Sequence, residues 1–273
     1  MNGKIYLVAT PIGNLEDMTL RAIKTLKEVD IIAAEDTRHT LKLLNHFEIK
    51  KPLISYHRHN EETKSDTILE IVKQGKNVAI VSDAGTPGIS DPGEEIVKAA
   101  IENKIEIIPI PGACAFINAL IISGLDTKEF AFFGFLSIYR KIKEKQLEKI
   151  KKETKTTILY EAPHKLQKTL KDLQEVLGDA PIVVVKELTK IHEKTYRGKI
   201  SEVMKEIGEE PKGEFVLLIP QQKHEEELKE WETLSIEEHY QYYQKKGLEK
   251  KAIIKQIAKD RKLSRNEVYQ HFL

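Results

Sequence analysis

Cysteine is almost absent from this chain, and long apolar runs are missing. Cys114 is the one cysteine among the 273 residues, so no disulfide can form within the chain. The most apolar long stretch, residues 105–125, is broken by Pro109, Pro111 and Gly112. It therefore falls short of the about 20 consecutive apolar residues of a membrane span. The N-terminus also lacks the basic and apolar regions of an export signal, and we expect a cytoplasmic protein that does not enter the membrane.

An excess of either charge is also lacking, because 44 Lys and Arg residues stand against 43 Asp and Glu residues, a net charge of +1. The total charge therefore does not indicate a nucleic-acid partner. The distribution is uneven: residues 138–155 hold eight basic and three acidic residues, and residues 245–273 hold nine basic and three acidic ones. Both patches suit a polyanion that touches part of the surface. Both also suit lysines that merely solvate helix faces.

Glycine and proline are few, with 14 and 10 residues, and no low-complexity tract occurs. The composition predicts a globular chain throughout, and the length predicts more than one domain. We expect an N-terminal α/β domain over residues 1–125, a second α/β domain over 126–222, and a basic, helical C-terminal extension over 223–273. The acidic run at 225–230 fits a linker or the start of a surface helix.

Short apolar runs alternate with segments of helical spacing. In the first half, strands are expected at residues 5–9, 31–34, 78–81 and 105–109, and helices at 20–29, 40–45, 63–74, 93–102 and 115–123. Continuous apolar strands separated by helices predict a largely parallel sheet covered on both faces. A second α/β set follows, with strands at 156–160, 182–185 and 215–219 and helices at 141–152, 164–177 and 201–207. Three short helices are expected at the end, at 235–246, 249–260 and 264–272.

The strongest chemical signal is the loop at residues 81–93, Val-Ser-Asp-Ala-Gly-Thr-Pro-Gly-Ile-Ser-Asp-Pro-Gly, between an expected strand and a helix. Small and turn-forming residues let backbone amides approach a ligand closely. Asp83 and Asp91 could meet a cationic amino group or a sulfonium, and Thr86 and Ser90 offer hydroxyl groups. An ordinary turn with aspartates that cap the helix is the alternative.

Two further turns, at 10–14 and 109–115, also follow expected strands. The three loops should therefore meet at the carboxyl edge of one parallel sheet, where ligands bind in such folds. Neither turn contains Gly-x-Gly-x-x-Gly or the Gly-Lys-Ser/Thr of a phosphate-binding loop. Their absence argues against a dinucleotide-dependent dehydrogenase and against a nucleoside triphosphatase.

Charged side chains follow other strands. Glu35, Asp36 and Arg38 come after the second strand, and His57 and His59 lie in a further loop. Carboxylates can position or deprotonate a hydroxyl, and the cationic groups can contact phosphate or sugar oxygens. A salt bridge within residues 35–38, and solvated histidines, are the simpler alternatives. No metal is expected, because the histidines have no cysteine beside them and no His-Glu-x-x-His helix occurs.

Five motifs, at residues 8–21, 35–38, 82–93, 160–164 and 187–190, together closely resemble those of bacterial ribosomal small-subunit methyltransferase I, a family of the tetrapyrrole-methylase superfamily. The resemblance covers residues 5–219 and, more weakly, 251–273. It implies two α/β domains of tetrapyrrole-methylase type with a small C-terminal helical extension, S-adenosyl-L-methionine as cofactor, and a homodimer. It also implies 2'-O-methylation of a cytidine ribose in the decoding region of 16S ribosomal RNA, with that RNA or the small ribosomal subunit as partner.

The same resemblance implies site residues by position. The cofactor-binding residues would be Pro11, Asp83, Ala84, Gly85, Thr86, Gly88, Ile89, Ser90, Cys114, Ala115, Tyr160, Ala162 and Pro163. We also expect RNA contacts from Arg38, His57, Arg58 and Asn60, whose loops should face the same sheet edge as the cofactor loops, and from Lys165 and Lys190. Lys165 stands where the family pattern has arginine, and since lysine lacks bidentate geometry, a phosphate contact there would be weaker.

The proton acceptor stays open at this level. A ribose hydroxyl is a poor nucleophile, so a carboxylate such as Asp36 or Glu161, or a neutral lysine such as Lys186, could assist. Two other functions compete with RNA methylation. A small-molecule methyltransferase acting on a tetrapyrrole would share the fold and cofactor, but it would not need the charged loops and the basic tail. A non-catalytic nucleic-acid-binding module would explain residues 263–269, which resemble the second helix of a helix-turn-helix, but not the glycine-rich loop.

Overall fold

The computed structural model describes residues 2–221, 231, 234–261 and 263–272. The chain forms two compact units, Met1–Gln222 and Lys223–Leu273. The acidic run at 225–230, expected to be a linker or a helix start, lies outside the described residues. The boundary expected near residue 125 stays a prediction.

The first sheet of the larger unit is parallel. Its strands are β1 (Ile5–Val8), β2 (Ile31–Ala34), β3 (Leu53–Ser55), β4 (Val78–Val81) and β5 (Ile107–Ile110). In the described residues they lie in the order β3-β2-β4-β1-β5, and every neighbouring pair is parallel. All four residues of the central strand β4 are buried, as expected for a strand that is covered on both faces.

Helices cover both faces of this sheet and confirm the sequence-based expectation. They are α1 (Leu20–Glu28), α2 (Thr37–His46), α3 (Glu61–Lys73) and α4 (Glu94–Glu102). A fifth helix, α5 (Ala115–Ser123), follows β5 and packs on the second sheet instead. Leu26 and Leu44 pack on one face, and Ile68 and Ile96 pack on the other. Helix α2 begins three residues earlier than expected, because the Asp36 carboxylate caps it by accepting a hydrogen bond from the Arg38 backbone N–H.

The second sheet is mixed. Its strands are β6 (Phe130–Phe135), β7 (Thr156–Glu161), β8 (Pro181–Lys186), β9 (Lys194–Lys199) and β10 (Phe215–Ile219). In the described residues they lie in the order β6-β7-β10-β8-β9; β6 and β7 pair in parallel, and the other three pairs are antiparallel. The sequence did not predict β9, since this edge strand reads Lys-Thr-Tyr-Arg-Gly-Lys and buries Tyr196 among mostly polar residues.

Helices cover both faces of this second sheet. Helices α6 (Arg140–Lys151), α7 (Pro163–Leu177) and α8 (Ile200–Ile207) pack on one face of it. Helix α5 covers the other face through Ala119 and Leu120, which pack against Val183 and Leu218. Because α5 follows β5 of the first sheet, the turns at the carboxyl edge of that sheet lie next to the second sheet.

The described residues of the C-terminal unit form three helices: α9 (Ile236–Lys245), α10 (Lys250–Asp260) and α11 (Arg265–Gln270). Ile253, Ile257 and Val268 are at the centre of its core. The predicted N-cap is confirmed, because Ser264 and Glu267 form a reciprocal capping box at the start of α11. Across the described part of the chain, no helix has the length and apolar character needed to traverse a lipid bilayer.

Candidate active site

A cavity of about 460 Å³ lies between the carboxyl edge of the first sheet and one face of the second. Eleven of the thirteen residues expected to bind a cofactor line it, and Pro11 and Gly88 do not. From the first half, the lining residues are Ile12, Glu35, Asp83, Ala84, Gly85, Thr86, Ile89, Ser90, Asp91, Cys114 and Ala115. From the second half, they are Phe135, Tyr160, Glu161, Ala162, Pro163, Val185, Leu188, Glu214, Phe215 and Val216.

The three loops predicted to meet are joined by hydrogen bonds. The Thr10 backbone N–H donates to the Gly85 carbonyl over 2.8 Å, and the Gly85 N–H donates to the Thr10 carbonyl over 3.0 Å. The Thr86 hydroxyl donates to the Ala113 carbonyl over 3.1 Å, which adds the turn after β5. The three turns are adjacent because β4, β1 and β5 are neighbours in the sheet.

Two glycines with positive φ allow close approaches to the cavity loop. Gly85 has a φ of +84°, and a Cβ there would lie 3.3 Å from Cγ2 of Ile12. Gly134 has a φ of +63° at an irregular position of β6, and a Cβ there would lie 3.0 Å from the Ser90 hydroxyl oxygen. Side-chain-bearing residues rarely adopt this backbone conformation. The glycines therefore let the cavity loop contact both the turn after β1 and the edge of the second sheet.

Three carboxylates form an acidic group at one end of the cavity, Glu35, Asp83 and Asp91. The Asp36 backbone N–H donates to Oδ1 of Asp83 over 2.9 Å, and the Asp83 backbone N–H donates to the Glu35 carboxylate. Burial, and then the charge of Glu35, raise the pKa of Asp91 to about 7; Arg58 opposes this rise, and the Asp83 charge adds a smaller one. Burial and the Asp83 charge also raise the pKa of Glu35. The cavity thus concentrates negative charge that a cation would stabilise.

The second sheet supplies a mostly apolar and aromatic wall. The Tyr160 hydroxyl accepts a hydrogen bond from the Phe116 backbone N–H over 3.1 Å, and burial raises the pKa of this phenol. The Phe135 ring lies edge-on to the Tyr160 ring, with centroids 5.6 Å apart. Glu161 is buried, and its oxygens accept hydrogen bonds from the Thr169 hydroxyl over 2.6 Å and from the Ala162 N–H over 2.8 Å. Glu161 therefore fixes the turn that carries the cavity residues Ala162 and Pro163.

A cluster around Lys190 joins the turn after β8 to the turn after β1. The Lys190 ammonium lies 2.9 Å from a Glu187 oxygen and 2.8 Å from a Glu214 oxygen. Its aliphatic chain crosses Gly13, where a Cβ would lie 2.3 Å from Cγ of Lys190. Leu188, in the same turn, lines the cavity. The position of Lys190 is therefore fixed by internal contacts at the cavity wall.

The other residues singled out from sequence lie outside the cavity lining. The exposed Arg38 guanidinium pairs with the Asp36 carboxylate at 3.0 Å, and this pairing lowers the pKa of Asp36 to about 2. Asn60 donates to the Ser55 carbonyl and accepts from the His57 backbone N–H, so it holds its own loop in shape.

Arg58, Lys165 and Lys186 are the remaining basic residues that were predicted as site residues. The Arg58 guanidinium donates to the Ser90 carbonyl of the cavity loop. Lys165 is half-buried in the first turn of α7, and Lys186 is half-buried at the end of β8. Their predicted roles, like those of the other site residues, stay predictions.

Sequence reasoning missed most of the second wall: Phe135, Val185, Leu188, Glu214, Phe215 and Val216. It noted Glu35 only as a charged group of its motif, and it expected that Asp91 could meet a cationic group or a sulfonium without placing it among the cofactor-binding residues. Leu188 lies inside the Glu-Leu-Thr-Lys motif, a signal that could have identified it. The remaining wall residues lie in strands β6, β8 and β10 or, for Glu214, directly before β10, and no loop motif marks them in the sequence.

Comparison with known proteins defines the class. The family model for Tetrapyrrole (Corrin/Porphyrin) Methylases matches residues 4–204. A diphthine synthase structure superposes with a TM-score of 0.66 at 15% identity, over 80% of this chain and 90% of that one. Uroporphyrin-III-C-methyltransferase from Thermus thermophilus superposes with a TM-score of 0.56 at 19% identity, over 79% of this chain and 94% of that one. Both structural likenesses concern the fold.

Full-length relatives narrow the class further. A protein of Bacillus subtilis named "Ribosomal RNA small subunit methyltransferase I" is 51% identical over 99% of this chain and 94% of its own length. A Synechocystis protein of the same name is 49% identical over 98% of this chain and 96% of its own length. The chain therefore belongs to the ribosomal RNA small subunit methyltransferase I family within the tetrapyrrole methylases.

The close contact between Gly85 and Ile12 leads to a testable prediction. Gly85→Val is expected to abolish binding of S-adenosylhomocysteine, the demethylated form of the cofactor expected from sequence, because the new side chain meets Ile12 at the cavity. Gly208→Val is a matched control, since Gly208 has a φ of +82° but open space around it. Both variants should lose about 1–2 kcal/mol of stability from backbone strain. Calorimetric titration that gives both variants wild-type affinity would remove this loop from the binding site.

Proposed function

We propose that this protein transfers the methyl group of S-adenosylmethionine to a ribose 2'-hydroxyl of small-subunit ribosomal RNA, at a cytidine of the decoding region. The observation that carries the proposal is the cavity, which combines a glycine-rich loop, an acidic group and an aromatic wall. The names of the full-length relatives support the RNA substrate. An RNA substrate implies a cytoplasmic protein.

The cavity residues fit S-adenosylmethionine. When bound, that cofactor supplies a methyl group activated by a positively charged sulfonium. Glu35, Asp83 and Asp91 would attract its cationic groups, and the backbone of the Gly85 turn allows close contact. Tyr160 and Phe135 would cover the apolar part and exclude water from the reacting groups.

Asp91 is the proton acceptor that the geometry favours. It lines the cavity, and its raised pKa of about 7 matches a general base that works near neutral pH. The bound cofactor would supply the methyl group and leave as S-adenosylhomocysteine, and the Asp91 carboxylate would accept the proton that the ribose hydroxyl loses. The earlier candidates have other positions: Asp36 pairs with Arg38, Glu161 is held by Thr169, and Lys186 lies outside the lining.

Basic residues next to the cavity are proposed to bind RNA. Arg38 and Lys165 remain the proposed phosphate contacts next to the site. Arg58 would also contact RNA, and it already donates a hydrogen bond to the Ser90 carbonyl of the cavity loop.

A homodimer is proposed through the apolar side chains that α5 exposes, of which Ile121 is the most exposed, at 64%. Exposed apolar patches of this kind mark interaction surfaces in soluble proteins.

The most direct test of the function is chemical mapping of ribosomal RNA. Small-subunit RNA from cells that lack this protein should miss one 2'-O-methyl cytidine in the decoding region, and the wild-type gene should restore it. Mass spectrometry of nuclease fragments provides the measurement. A full complement of ribose methylation in cells without the protein would overturn the proposed substrate. A tetrapyrrole methyltransferase, by contrast, would leave ribosomal RNA unchanged in both strains.

Asp91→Asn tests the proton acceptor. The base must be unprotonated, so the wild-type rate under single-turnover conditions should rise with pH and level off once Asp91 is ionised. This should occur below the pKa of about 7 that Asp91 has without cofactor, because the bound cation favours the carboxylate. The rate of the variant should not rise with pH in this way and should be roughly 10²–10⁴-fold lower, with cofactor still bound.

The same variant tests the stability cost of Asp91. In the wild type, the folded state holds the Asp91 proton more tightly than the unfolded state does. The unfolding free energy contributed by Asp91 should therefore fall as pH rises from about 4 to about 7, and Asp91→Asn should be no less stable than wild type at pH 8.

Removal of residues 235–273 tests the C-terminal unit. This segment should contribute to RNA affinity through phosphates, because residues 245–273 carry nine basic and three acidic residues. The truncated protein should bind small-subunit RNA more weakly, with a smaller loss of affinity on added salt, and keep its cofactor affinity. Equal salt slopes would contradict this role. A truncated protein that keeps its RNA affinity and sediments as a monomer would make these helices a dimerisation element.

A further inference from the structure

Phe135 is the last residue of strand β6 and is part of both the cavity lining and the solvent-exposed surface. Its ring lines the cavity and lies 5.6 Å from the Tyr160 ring. The residue is nevertheless 49% exposed. Phe135 therefore lies at the edge where the cavity meets solvent, here called the cavity entrance.

The segment that follows Phe135 continues this apolar and aromatic surface. Ile138 is 72% exposed and Tyr139 is 68% exposed. Four residues of chain reach at most about 14 Å, so Tyr139 lies near the cavity entrance. Its backbone is fixed, because the Tyr139 N–H donates to the Ser137 hydroxyl and its carbonyl accepts the first hydrogen bonds of α6. An ordered turn therefore presents the Tyr139 ring to solvent.

Basic side chains alternate with these apolar groups. Helix α6 carries six basic and two acidic residues. Lys141 and Lys145 are exposed, whereas Lys143 is held by Asp172 at 2.5 Å. Arg140 pairs with Glu144, and an exposed pair of this kind is weak enough to exchange for a phosphate.

We propose that Phe135, Ile138, Tyr139, Arg140, Lys141 and Lys145, here named the β6–α6 surface, bind single-stranded RNA at the cavity entrance. Unpaired bases stack on the exposed rings, and phosphates contact the basic side chains. Interleaved aromatic and basic groups are the recognition mode of single strands, because a base in a duplex offers no free face for stacking. This inference rests on the proposed function and names the surface that delivers its substrate.

Charge favours RNA over a second copy of the chain as the occupant. A twofold dimer interface brings the same patch of both subunits together. Two copies of α6, each with a net excess of basic residues, would repel one another across such an interface. A polyanion instead neutralises both the lysines and Arg140.

The test measures binding of a fluorescent, unstructured RNA oligonucleotide and of its duplex to the full-length protein over a range of salt concentrations. Tyr139→Ala should weaken single-strand binding by about tenfold, in line with the loss of one stacked base, and should leave duplex binding nearly unchanged. Tyr139→Phe should restore single-strand binding, because the ring remains. Lys141→Gln with Lys145→Gln should lower the slope of log affinity against log salt by about 1.4, or about 0.7 for each lost phosphate contact.

Lys24→Gln with Lys27→Gln provides the matched control. Both lysines are exposed in the second half of α1, a helix that runs from the carboxyl edge of the sheet towards the opposite edge, so the salt slope should not change. Affinity for S-adenosylhomocysteine should stay within twofold of wild type in every variant. Wild-type RNA affinity and slope in the Tyr139→Ala and double-lysine variants would overturn the proposal. Conversion of a wild-type dimer to a monomer by Tyr139→Ala would also overturn it and assign the surface to self-association. RNA binding as predicted without methylation of ribosomal RNA would contradict the proposed function alone.

Discussion

The turn after β1 and the turn after β4 are joined by two backbone hydrogen bonds between Thr10 and Gly85, of 2.8 and 3.0 Å. This pairing requires a residue without a side chain at Gly85, where the backbone has a positive φ and Ile12 lies beside it. Thr86 extends the bonded set to the turn after β5, and the Asp83 carboxylate extends it to the turn after β2. The four turns thereby form one hydrogen-bonded rim around the cavity.

The same rim brings carboxylates together at a cost in stability. Glu35, Asp83 and Asp91 share one end of the cavity, and burial with mutual repulsion raises the pKa of both Glu35 and Asp91. Backbone N–H groups stabilise Glu35 and Asp83, but a negative field remains. A bound cation lowers the energy of this arrangement, so the feature that weakens the ligand-free fold strengthens binding of a positively charged methyl donor. One group of carboxylates therefore both attracts the cationic cofactor and contains the proposed proton acceptor.

Sequence reasoning worked well where chain connectivity dictates geometry. Parallel strands place their carboxyl ends at one edge, so the loops containing Gly13, Gly85 and Gly112 could be brought together in advance. The mixed second sheet has no equivalent rule. Phe135 and Phe215 come from different strands of that sheet, and their meeting at the cavity depends on a strand order that local patterns do not encode.

Polar residues were harder to interpret for a related reason. Lys190 and Asn60, in polar loops that follow strands, were among the residues expected to meet RNA. The structure gives Lys190 a partner 24 positions away, Glu214, and gives Asn60 partners within its own loop, Ser55 and His57. Sequence shows that a residue can form a hydrogen bond or ion pair, but the fold decides which partner is within reach.

Calorimetric titration of the full-length protein with S-adenosylmethionine, without RNA and at pH 6.5, tests the central claim most directly. A rim that is already formed should bind one cofactor per chain. Because the cation favours the unprotonated form of Asp91, binding should release protons, which titrations in buffers of different ionisation heat measure. S-adenosylhomocysteine, which lacks the sulfonium charge, should release fewer protons. Absence of uptake until RNA is added, or uptake without proton release, would contradict this account.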